Sequence, residues 1–541
     1  MSKNLSVNGK SNRVIAIGLD AADPYLTEHW IKQGHLPTIT SLIDRGSWGK
    51  IMSNTDISSG ATWPSVSTGT SPAKHGIYFY HRQLKTGTYE ICKKYADQIK
   101  RTPFWIIPSQ AGKKVAILDV PFTYPVERLN GMQLVGWGVE APNWKKSTWP
   151  TELFHDIISQ FGSHPLEGWY QRRPNSVDEC EELSKRLISG ARKRSLISEY
   201  VLDQENWDLF LTVFAETHWA GHLFWHVIDQ NHPDYNPDLA SVLGNAILDV
   251  YSEIDRAISK LIESASGSTI IIFSNTGMGP NYSGSHLLPE ILDRLEMKVK
   301  DSESGLSANL LGNLLPAGRW GSYTIKSLEN LISVGVIEKI KQFIPEEIWD
   351  TWTRRLLALG NNWKVSRAFC LPNDFAGAIR INLKGREPHG LVEQGREYNA
   401  ICDELVKELS ALENADTGKK AVKEVLRVDE LYHGENLKDL PDLIVKWAGD
   451  APIRTIHSSR IGTVSGENPD SRTGGHKTYG FLIASGKHIS RGKTFEGASI
   501  MDIAPTVLYL MGQSIPKDMD GKVLLDIIDG DFKSNNPVRY S

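Results

Sequence analysis

The segment Glu205–Val227 reads ENWDLFLTVFAETHWAGHLFWHV and decides how the fold of this chain is interpreted. Its first part, Asp208–Phe214, is a dense apolar run, typical of a strand that is covered on both faces of a parallel sheet. Polar residues follow at once, beginning with Glu216 and His218. Because ligand sites in open α/β sheets lie beyond the carboxyl ends of the strands, this segment predicts both a central strand and the edge that carries a site.

The two histidines that follow this strand have the spacing of a metal-binding pair. His218 and His222 are four residues apart, so a helical turn would place both imidazoles on one face. Two neutral imidazoles in this arrangement suit a borderline metal such as zinc. The alternative for an isolated pair is two ordinary, partly buried histidines beside Trp219 and Trp225, so the pair must be weighed with the rest of the sequence.

The bulk composition indicates a globular protein with more than one lobe. A chain of 541 residues is long enough for a large core, and its net charge of −4 argues against a general nucleic-acid binder. The first residues lack the apolar region of a signal peptide, and no apolar run approaches the ~20 residues of a membrane span, so we expect a cytoplasmic protein. Four scattered cysteines predict neither a metal knuckle nor a disulfide framework.

Apolar runs alternate with helical patterns along most of the chain, which favours an α/β fold with a doubly wound, mostly parallel sheet flanked by helices. The runs with strand character include Val14–Asp20, Val115–Val120, Asp208–Phe214 and Thr269–Ser274. Residues 285–375 instead show helical patterns, and we interpret them as a cap inserted between a first core part, 13–284, and a second, 376–530. Residues 1–12 and 531–541 are predicted to be flexible tails.

Two further segments supply candidate chemistry. The run Val14–Leu19 ends in Asp20, and a carboxylate at the end of a strand is well placed for metal binding or catalysis, although capping of the next helix is the alternative. The segment Ser58–Gly69 is rich in hydroxyls and can present a nucleophilic oxygen, although it can also be a simple Ser/Thr-rich loop. The stretch Ser471–Lys477, which contains His476, is predicted to be a flexible glycine loop.

Taken in order, these pieces resemble the alkaline phosphatase superfamily, and within it the type I phosphodiesterase/nucleotide pyrophosphatase branch. The resemblance extends from Val14 to about Ile528. The matching pieces are Gly18-Leu19-Asp20, Thr62-x-Pro64 to Thr68-Gly69, Pro72-x-Lys74-His75-Gly76, His218-x-x-Gly221-His222, Ser274-x-x-Gly277-Met278-Gly279, Asn382-Leu383-x-Gly385-Arg386-Glu387-Pro388, Pro441-Asp442-Leu443, Gly475-His476, Asp502-x-Ala504-Pro505-Thr506 and Asp518-Met519-Asp520-Gly521.

The resemblance implies a site with two metals. One metal is typically held by an Asp, a His four residues later and a distant His, and these positions fall on His218, His222 and His476, so that an imidazole replaces the usual carboxylate. The second metal is implied to bind the strand carboxylate, here Asp20, together with the nucleophile oxygen and an Asp-His pair. The nucleophile falls on Thr62, and Ser59 remains a second candidate because the register of this hydroxyl-rich loop is open.

The chain departs from the family at the Asp-His pair, where it has Asn275 and Thr276. An amide and a hydroxyl are poorer ligands for a divalent ion than a carboxylate and an imidazole. The second site is then reduced to Asp20, Thr62 and Asn275. We therefore expect one strong site for zinc or another divalent transition metal and a doubtful second site.

These features favour a metal-dependent hydrolase or transferase that acts on a phosphate or sulfate ester through a Thr or Ser nucleophile. The expected partner is a small phosphorylated or sulfated substrate, with no nucleic acid, and the sequence does not determine the oligomeric state. The alternative is a non-catalytic relative that binds a ligand or partner, which the Asn275-Thr276 departure favours and the three histidines oppose.

Overall fold

The computed structural model describes residues 12–79, 82–125, 128–138, 147–167, 174, 176–298 and 362–541. The strands in these ranges are β1 Val14–Leu19, β2 Gly46–Met52, β3 Gln83–Leu84, β4 Ile91–Cys92, β5 Val115–Leu118, β6 Gly131–Val135, β7 Ser147–Trp149, β8 Leu209–Phe214, β9 Thr269–Ser274, β10 Gly277–Pro280, β11 Ala368–Leu371, β12 Gly377–Ile381, β13 Glu413–Asn414, β14 Lys419–Lys420, β15 Val422–Arg427, β16 Leu443–Trp447, β17 Thr455–Ser458, β18 Gly462–Ser465, β19 Gly474–Lys477, β20 Tyr479–Ser485 and β21 Lys493–Ser499.

The helices in the same ranges are α1 Pro24–Lys32, α2 Pro37–Asp44, α3 Thr62–Thr68, α4 Pro72–His75, α5 Ile106–Gln110, α6 Glu152–Phe161, α7 Val177–Leu202, α8 Glu216–Ile228, α9 Pro237–Leu243, α10 Ala246–Glu263, α11 Leu288–Arg294, α12 Arg396–Ser410, α13 Val428–Leu431, α14 Ile503–Leu510 and α15 Gly530–Asn535. None of the helices in the described ranges has the length and apolar character needed to cross a bilayer.

A nine-stranded sheet forms the centre of the molecule, with the strand order β21-β2-β20-β9-β1-β8-β5-β6-β7. Strand β20 is antiparallel to both of its neighbours and β7 is antiparallel to β6, while the other neighbouring strands are parallel. The sheet is therefore mixed with a parallel majority. This confirms the α/β fold that the alternating strand and helix patterns predict.

The central strands are buried on both faces, as their uninterrupted apolar sequences require. Ile15 and Ile17 of β1 face a core that includes side chains of α7, α8 and α10. Val14 and Ala16 face a second core formed with α3, α5 and α14. Because the two sets alternate along one strand, the sheet is packed between two helical layers, and its polar groups are concentrated at the strand ends.

The register of three neighbouring strands explains where the site lies. Strand β1 runs parallel to β8 with Leu19 opposite Phe214, and parallel to β9 with Gly18 opposite Phe273. The residues that follow these strands therefore emerge at one edge of the sheet. They are Asp20 after β1, the start of α8 after β8, and Asn275 after β9.

The second part of the chain contains smaller sheets beside the central one. Strands β11, β12, β16 and β15 form one sheet, and β14, β13, β17 and β18 form another. The strand Ala368–Leu371 lies inside segment 285–375, for which the sequence predicts helices. The prediction is wrong for this part of the segment, because Ala368–Leu371 pairs antiparallel with β12. The predicted helices between residues 299 and 361 lie outside the described residues, so the cap stays a prediction.

The C-terminal tail, predicted to be flexible over 531–541, is also different in the structure. Residues 530–535 form α15, and Tyr540 bridges to Ile515. The backbone N–H of Ile515 donates to the carbonyl of Arg539, and Phe532 is buried against the core. Apolar contacts of this short helix with the sheet layer, which no local pattern indicates, give the segment its structure.

Asp23 provides a pH-dependent contribution to stability at the start of α1. Its carboxylate accepts hydrogen bonds from the backbone N–H groups of Tyr25, Leu26 and Met278, yet burial raises its pKa to about 6. Since the folded state then holds a proton more tightly than the unfolded state, the associated stability is present below about pH 4 and is lost as the pH rises through 6.

Asp23→Asn keeps the capping oxygen but has no titrating proton. We therefore expect its free energy of unfolding to fall less between pH 4 and 7 than that of the wild type, by up to about 3 kcal/mol. Urea unfolding of both proteins at four pH values in this range measures the slope. Asp529→Asn, at the partly exposed cap of α15, is the matched control. Equal slopes for the wild type and Asp23→Asn would contradict this assignment.

Candidate metal centre

Helix α8 places two imidazoles at the carboxyl edge of the sheet. It begins at Glu216, with only Ala215 between it and the end of β8, so its first turn projects directly from the strand end. His218 and His222 lie on one face of this helix, as the four-residue spacing predicts, and their Nε2 atoms approach to 2.9 Å. The predicted histidine pair is thus brought together by the structure.

The third imidazole comes from a β-ribbon rather than from a flexible loop. Residues Gly474–Lys477 form β19, which pairs antiparallel with β10 and sets His476 opposite Met278. The prediction of a flexible loop over 471–477 is therefore wrong for its second half. The ribbon brings His476 to the two histidines of α8, and one nitrogen from each of the three imidazoles lies within 4.8 Å of the others.

Close contact between α8 and β19 orients His222. A Cβ on Gly474 would collide with the carbonyl oxygen of Gly221, so only glycine allows the ribbon to lie this close to the helix. At this distance the Nδ1–H of His222 donates to the carbonyl of Gly474, 2.7 Å away. Because this bond places the proton on Nδ1, the lone pair of Nε2 faces the cluster, as in many metal-binding histidines.

The donor set fits a divalent transition metal. Three imidazole nitrogens that lie within 4.8 Å of one another would hold such an ion, and zinc commonly takes histidine nitrogens as ligands. Burial lowers the pKa of each imidazole, to about 3 for His476, which keeps the lone pairs unprotonated. Nδ1 of His476 is buried and has no hydrogen-bond partner in the described part of the chain. His218 is 23% exposed, which leaves the cluster open to a further ligand on one side.

Asp20 lies beside this cluster at the end of β1. Its Oδ1 accepts a hydrogen bond of 2.9 Å from the indole N–H of Trp63, and its Oδ2 lies 4.0 Å from Nδ1 of His218. Burial raises the pKa of Asp20, and the neighbouring His218 and the bond from Trp63 oppose this effect. Trp63 packs over Gly18, where a Cβ would be only 3.0 Å from the ring, so the glycine makes room for the indole that orients the carboxylate.

Thr62 and Asn275 meet next to Asp20. Asn275 accepts a hydrogen bond from the backbone N–H of Ala21 on its Oδ1, at 3.0 Å, which fixes the orientation of the amide. Its NH2 group donates to Oγ1 of Thr62, also at 3.0 Å, and also contacts Asp20. Thr62 in turn donates to the carbonyl of Ser59 at 2.9 Å. The Asn275 oxygen is thus engaged by the backbone, and its nitrogen faces the nucleophile candidate.

Thr276, the other substituted position, is fully buried and donates its hydroxyl to the carbonyl of Lys477. Its hydroxyl oxygen is therefore turned toward the β10–β19 ribbon. The structure brings together three groups of the ligand set implied for a second metal, namely Asp20, Thr62 and the NH2 group of Asn275. Of these, Asp20 and Thr62 present an oxygen that could bind a metal, whereas Asn275 presents a nitrogen.

The second nucleophile candidate, Ser59, lies in a separate hydrogen-bond network. Its hydroxyl donates to Oδ2 of Asp374 in a short bond, and Oδ1 of Asp374 accepts from Nη2 of Arg472 at 2.6 Å. Although burial alone would raise it, the charges of Arg472 and His476 hold the pKa of Asp374 well below its usual range. The following residue, Phe375, has its ring 5.8 Å from that of His222 and 5.5 Å from that of His476.

Asp374, Phe375 and Arg472 were not predicted as site residues. Asp374 and Phe375 lie in the turn between β11 and β12, within the segment interpreted as a helical cap. The turn signal Pro372-Asn373-Asp374 between two apolar runs does indicate a hairpin, and that signal would have placed the turn correctly. Nothing in the local sequence indicates that this turn contacts the hydroxyl-rich loop.

Other charged or ligand-type residues of the matching motifs have structural partners. His75 is fully buried, with Nδ1 accepting from the N–H of Ile77 and Nε2 bonded to Ser65. Lys74 pairs with Asp520, and Arg386 forms two hydrogen bonds with Asp442. These residues thus have partners in the surrounding structure, and none of them belongs to the three-histidine cluster.

The model of the family described as type I phosphodiesterase / nucleotide pyrophosphatase matches residues 14–451. The chain belongs to this family. The third histidine of the cluster, His476, lies beyond the matched range of this phosphodiesterase-family chain. No curated protein matches the sequence.

Several solved structures resemble the phosphodiesterase-family chain at low sequence identity. A murine ectonucleotide pyrophosphatase / phosphodiesterase 5, an inactive variant in complex with AMP, is 11% identical, with 96% of this chain and 100% of that chain covered and a TM-score of 0.47. Phosphonoacetate hydrolase from Sinorhizobium meliloti 1021 in complex with phosphonoacetate is 12% identical, with 93% and 95% covered and a TM-score of 0.48. The human phosphodiesterase 5 is 11% identical, with 96% and 100% covered and a TM-score of 0.45. The family assignment rests on the sequence match.

Proposed function

We propose that this chain is a metal-dependent phosphoester hydrolase that uses a single metal ion, held by His218, His222 and His476, and Thr62 as nucleophile. The observation that carries the proposal is the convergence of three neutral imidazoles at the strand edge that also carries Asp20 and Thr62. Three imidazoles with an open side are typical of catalytic zinc. A phosphodiester is the expected substrate, since the family is a phosphodiesterase family.

Each residue then has a defined task. A metal ion bound by the three imidazoles would polarise an oxygen of the phosphoryl group. Thr62 is positioned by Asn275 and by the carbonyl of Ser59, so its oxygen is held in one orientation. Asp20 lies beside His218, and the NH2 group of Asn275 contacts both Asp20 and Thr62, so the carboxylate of Asp20 is the candidate to accept the proton that leaves Thr62.

The single-metal part of the proposal follows from the orientation of Asn275. The N–H of Ala21 donates to the amide oxygen, so the NH2 group is directed at Thr62 and Asp20. An amide nitrogen of this kind is a hydrogen-bond donor and does not bind divalent ions. The space between Thr62 and Asp20 thus holds a donor group in this chain, where the resemblance implies a cation.

The proposal is tested by measuring the metal content of the purified protein and its hydrolysis of a chromogenic phosphodiester and phosphomonoester. One metal per chain with diester hydrolysis would support it. Product analysis with an added alcohol distinguishes water from another hydroxyl as acceptor, and a chromogenic sulfate ester in parallel tests the sulfuryl alternative. A folded protein that retains no metal in zinc-containing buffer and cleaves neither phosphate ester would favour the non-catalytic reading.

A substitution at Asn275 should convert the single-metal site into a two-metal site. Asn275→Asp keeps the oxygen that accepts from Ala21 and replaces the NH2 group by a second carboxylate oxygen facing Asp20. Because two carboxylates in contact repel each other and oxygen donors suit hard divalent ions, we expect a second ion to bind, with manganese preferred over zinc.

The measurement is the metal stoichiometry by elemental analysis after equilibration with manganese, with an expected rise from one ion to two. Asn414→Asp is the matched control, because Asn414 is also buried and donates its amide to a carbonyl, that of Pro452, in a smaller sheet. Two ions already present in the wild type would show that Asn275 does not exclude the second metal.

A further inference from the structure

Arg472 is a cation that two carboxylates hold in a fixed position at the edge of the histidine cluster. Its Nε lies 3.0 and 3.1 Å from the two carboxylate oxygens of Asp470. Its Nη2 donates at 2.6 Å to Asp470 and at 2.6 Å to Asp374. One edge of the planar guanidinium is therefore fully engaged, and the group cannot rotate without breaking several charged hydrogen bonds.

The remaining nitrogen of this guanidinium is available. In the described part of the chain, no acceptor is hydrogen-bonded to Nη1 of Arg472, and this atom is not among the buried polar atoms that lack a partner. The side chain is 26% exposed. Nη1 thus carries two N–H donors that a ligand can reach, on a group already fixed by its other nitrogens.

The position of Arg472 links it to both halves of the proposed site. Its guanidinium lies 4.5 Å from the ring centre of Phe375, and the rings of His222 and His476 also lie beside this ring. One aromatic ring therefore separates the guanidinium from two of the three proposed ligands. On the other side, Asp374 connects Arg472 to Ser59, which lies in the turn that leads into Thr62.

We propose that Arg472 binds a non-bridging oxygen of the phosphoryl group through Nη1, and that Asp374 acts as the residue that positions it. This inference rests on the proposed function. Under the single-metal proposal the site has no second metal cation, while a phosphoryl group in transfer carries negative charge that needs more than one positive partner. A guanidinium matches the geometry of phosphate oxygens.

The two carboxylates do not prevent this role. Both oxygens of Asp374 are already occupied, one by the hydroxyl of Ser59 and the other by Arg472, so its lone pairs are directed at these donors. Asp470 likewise engages the Nε and Nη2 side of the guanidinium, opposite the free donors. Their charges orient the cation before substrate binds, which spares the site from reorganising during the reaction.

The test uses the full-length, zinc-loaded protein, inorganic phosphate as the probe and a chromogenic phosphodiester as the substrate. Arg472→Gln removes the charge. Arg472→Lys keeps the charge and one ion pair but loses the several N–H donors of the planar guanidinium. Arg427→Gln is the control, because Arg427 is also paired with a carboxylate, Asp403, and lies beside an aromatic ring, Tyr398, but belongs to a smaller sheet. Elemental analysis checks that every variant retains its metal.

We expect Arg472→Gln to weaken phosphate binding about 10- to 100-fold in calorimetry and to lower kcat/KM by at least as much, since a charged hydrogen bond to phosphate is lost. Arg472→Lys should fall between this variant and the wild type. Asp374→Asn should lower kcat with the metal retained. Arg427→Gln should behave as the wild type.

The outcomes separate this inference from the proposed function. If the wild type binds phosphate and cleaves the diester, but metal-loaded Arg472→Gln and Arg472→Lys do so equally well, the role of Arg472 is overturned and the hydrolase proposal stands. If the wild type with bound zinc neither binds phosphate nor cleaves any ester, the proposed function fails and the inference fails with it. Loss of metal from both Arg472 variants would assign the residue to the structure of the metal site and would also overturn its role in substrate binding.

Discussion

The replacement His222→Ala is expected to abolish metal retention and, with it, hydrolysis of phosphoesters. His222 would be the central ligand of the proposed site, because its Nε2 lies 2.9 Å from that of His218 and its Nδ1 donates to the carbonyl of Gly474. Its loss removes one of three nitrogens and the bond that ties α8 to the β-ribbon carrying His476. Loss of an outer-shell partner alone typically costs about 10- to 100-fold in metal affinity, so the loss of the ligand itself should cost more.

The measurement is elemental analysis after dialysis against a zinc buffer, combined with a chelator competition to give the affinity ratio. His226→Ala is the matched control, since His226 is one turn further along the same helix and is also buried, but its Nδ1 is bonded to Thr473 and it lies outside the cluster. The control should retain its metal. A His222→Ala protein that binds zinc as tightly as the wild type would exclude the cluster as the metal centre.

Much of this centre was accessible from the sequence because it depends on short-range patterns. The apolar run that ends at Phe214 predicts a buried parallel strand, and the polar residues after it predict the site edge. The spacing of His218 and His222 requires only that the next segment be helical, which the structure confirms. Asp20 follows from the same strand-end argument and emerges beside them.

The rest of the site depends on contacts between distant segments, which local patterns do not contain. His476 reaches the cluster because β19 pairs with β10, almost 200 positions earlier in the chain, and the family resemblance alone pointed to it. The direction of the Asn275 amide is decided by the N–H of Ala21, more than 250 positions away. The sequence shows that Asn275 is a weaker metal ligand than the aspartate expected there. Only its hydrogen bond with Ala21 shows which end of the amide faces Thr62.

Arg472 and Asp374 illustrate a different reason. Both residues lie in segments whose composition is that of ordinary surface loops, and a charged residue in such a loop is usually solvated. The side chains meet because the β11–β12 turn packs against the loop that precedes β19. Partial burial then makes their ion pair persistent, and this depends on the tertiary packing of the smaller sheet rather than on residue type.

The replacement Thr62→Ala is expected to lower kcat by at least about 10³-fold while the metal content stays unchanged, because it removes the proposed attacking oxygen and none of the imidazoles. Thr62→Ser keeps the hydroxyl and should recover a large part of the activity. Ser59→Ala is the paired comparison, since Ser59 lies in the turn that leads directly into Thr62. The Oγ of Ser59 donates to Asp374, which in turn positions Arg472. We therefore expect Ser59→Ala to lower kcat only slightly, by less than about tenfold, because Arg472 is held less rigidly.

Trapping of the intermediate decides between the two hydroxyls. Attack by Thr62 on the phosphorus of a diester would form one new P–O bond, release one alcohol and leave a threonine phosphodiester that keeps the second ester group. Acid quenching of a slow diester reaction should preserve this adduct for mass spectrometry. We expect the added mass on a peptide containing Thr62, and its absence from Thr62→Ala. A modified Ser59, with activity lost in Ser59→Ala and retained in Thr62→Ala, would shift the nucleophile three residues toward the N-terminus. In that case Asp374, bonded to the Ser59 hydroxyl, would take the place in the site assigned above to Asp20.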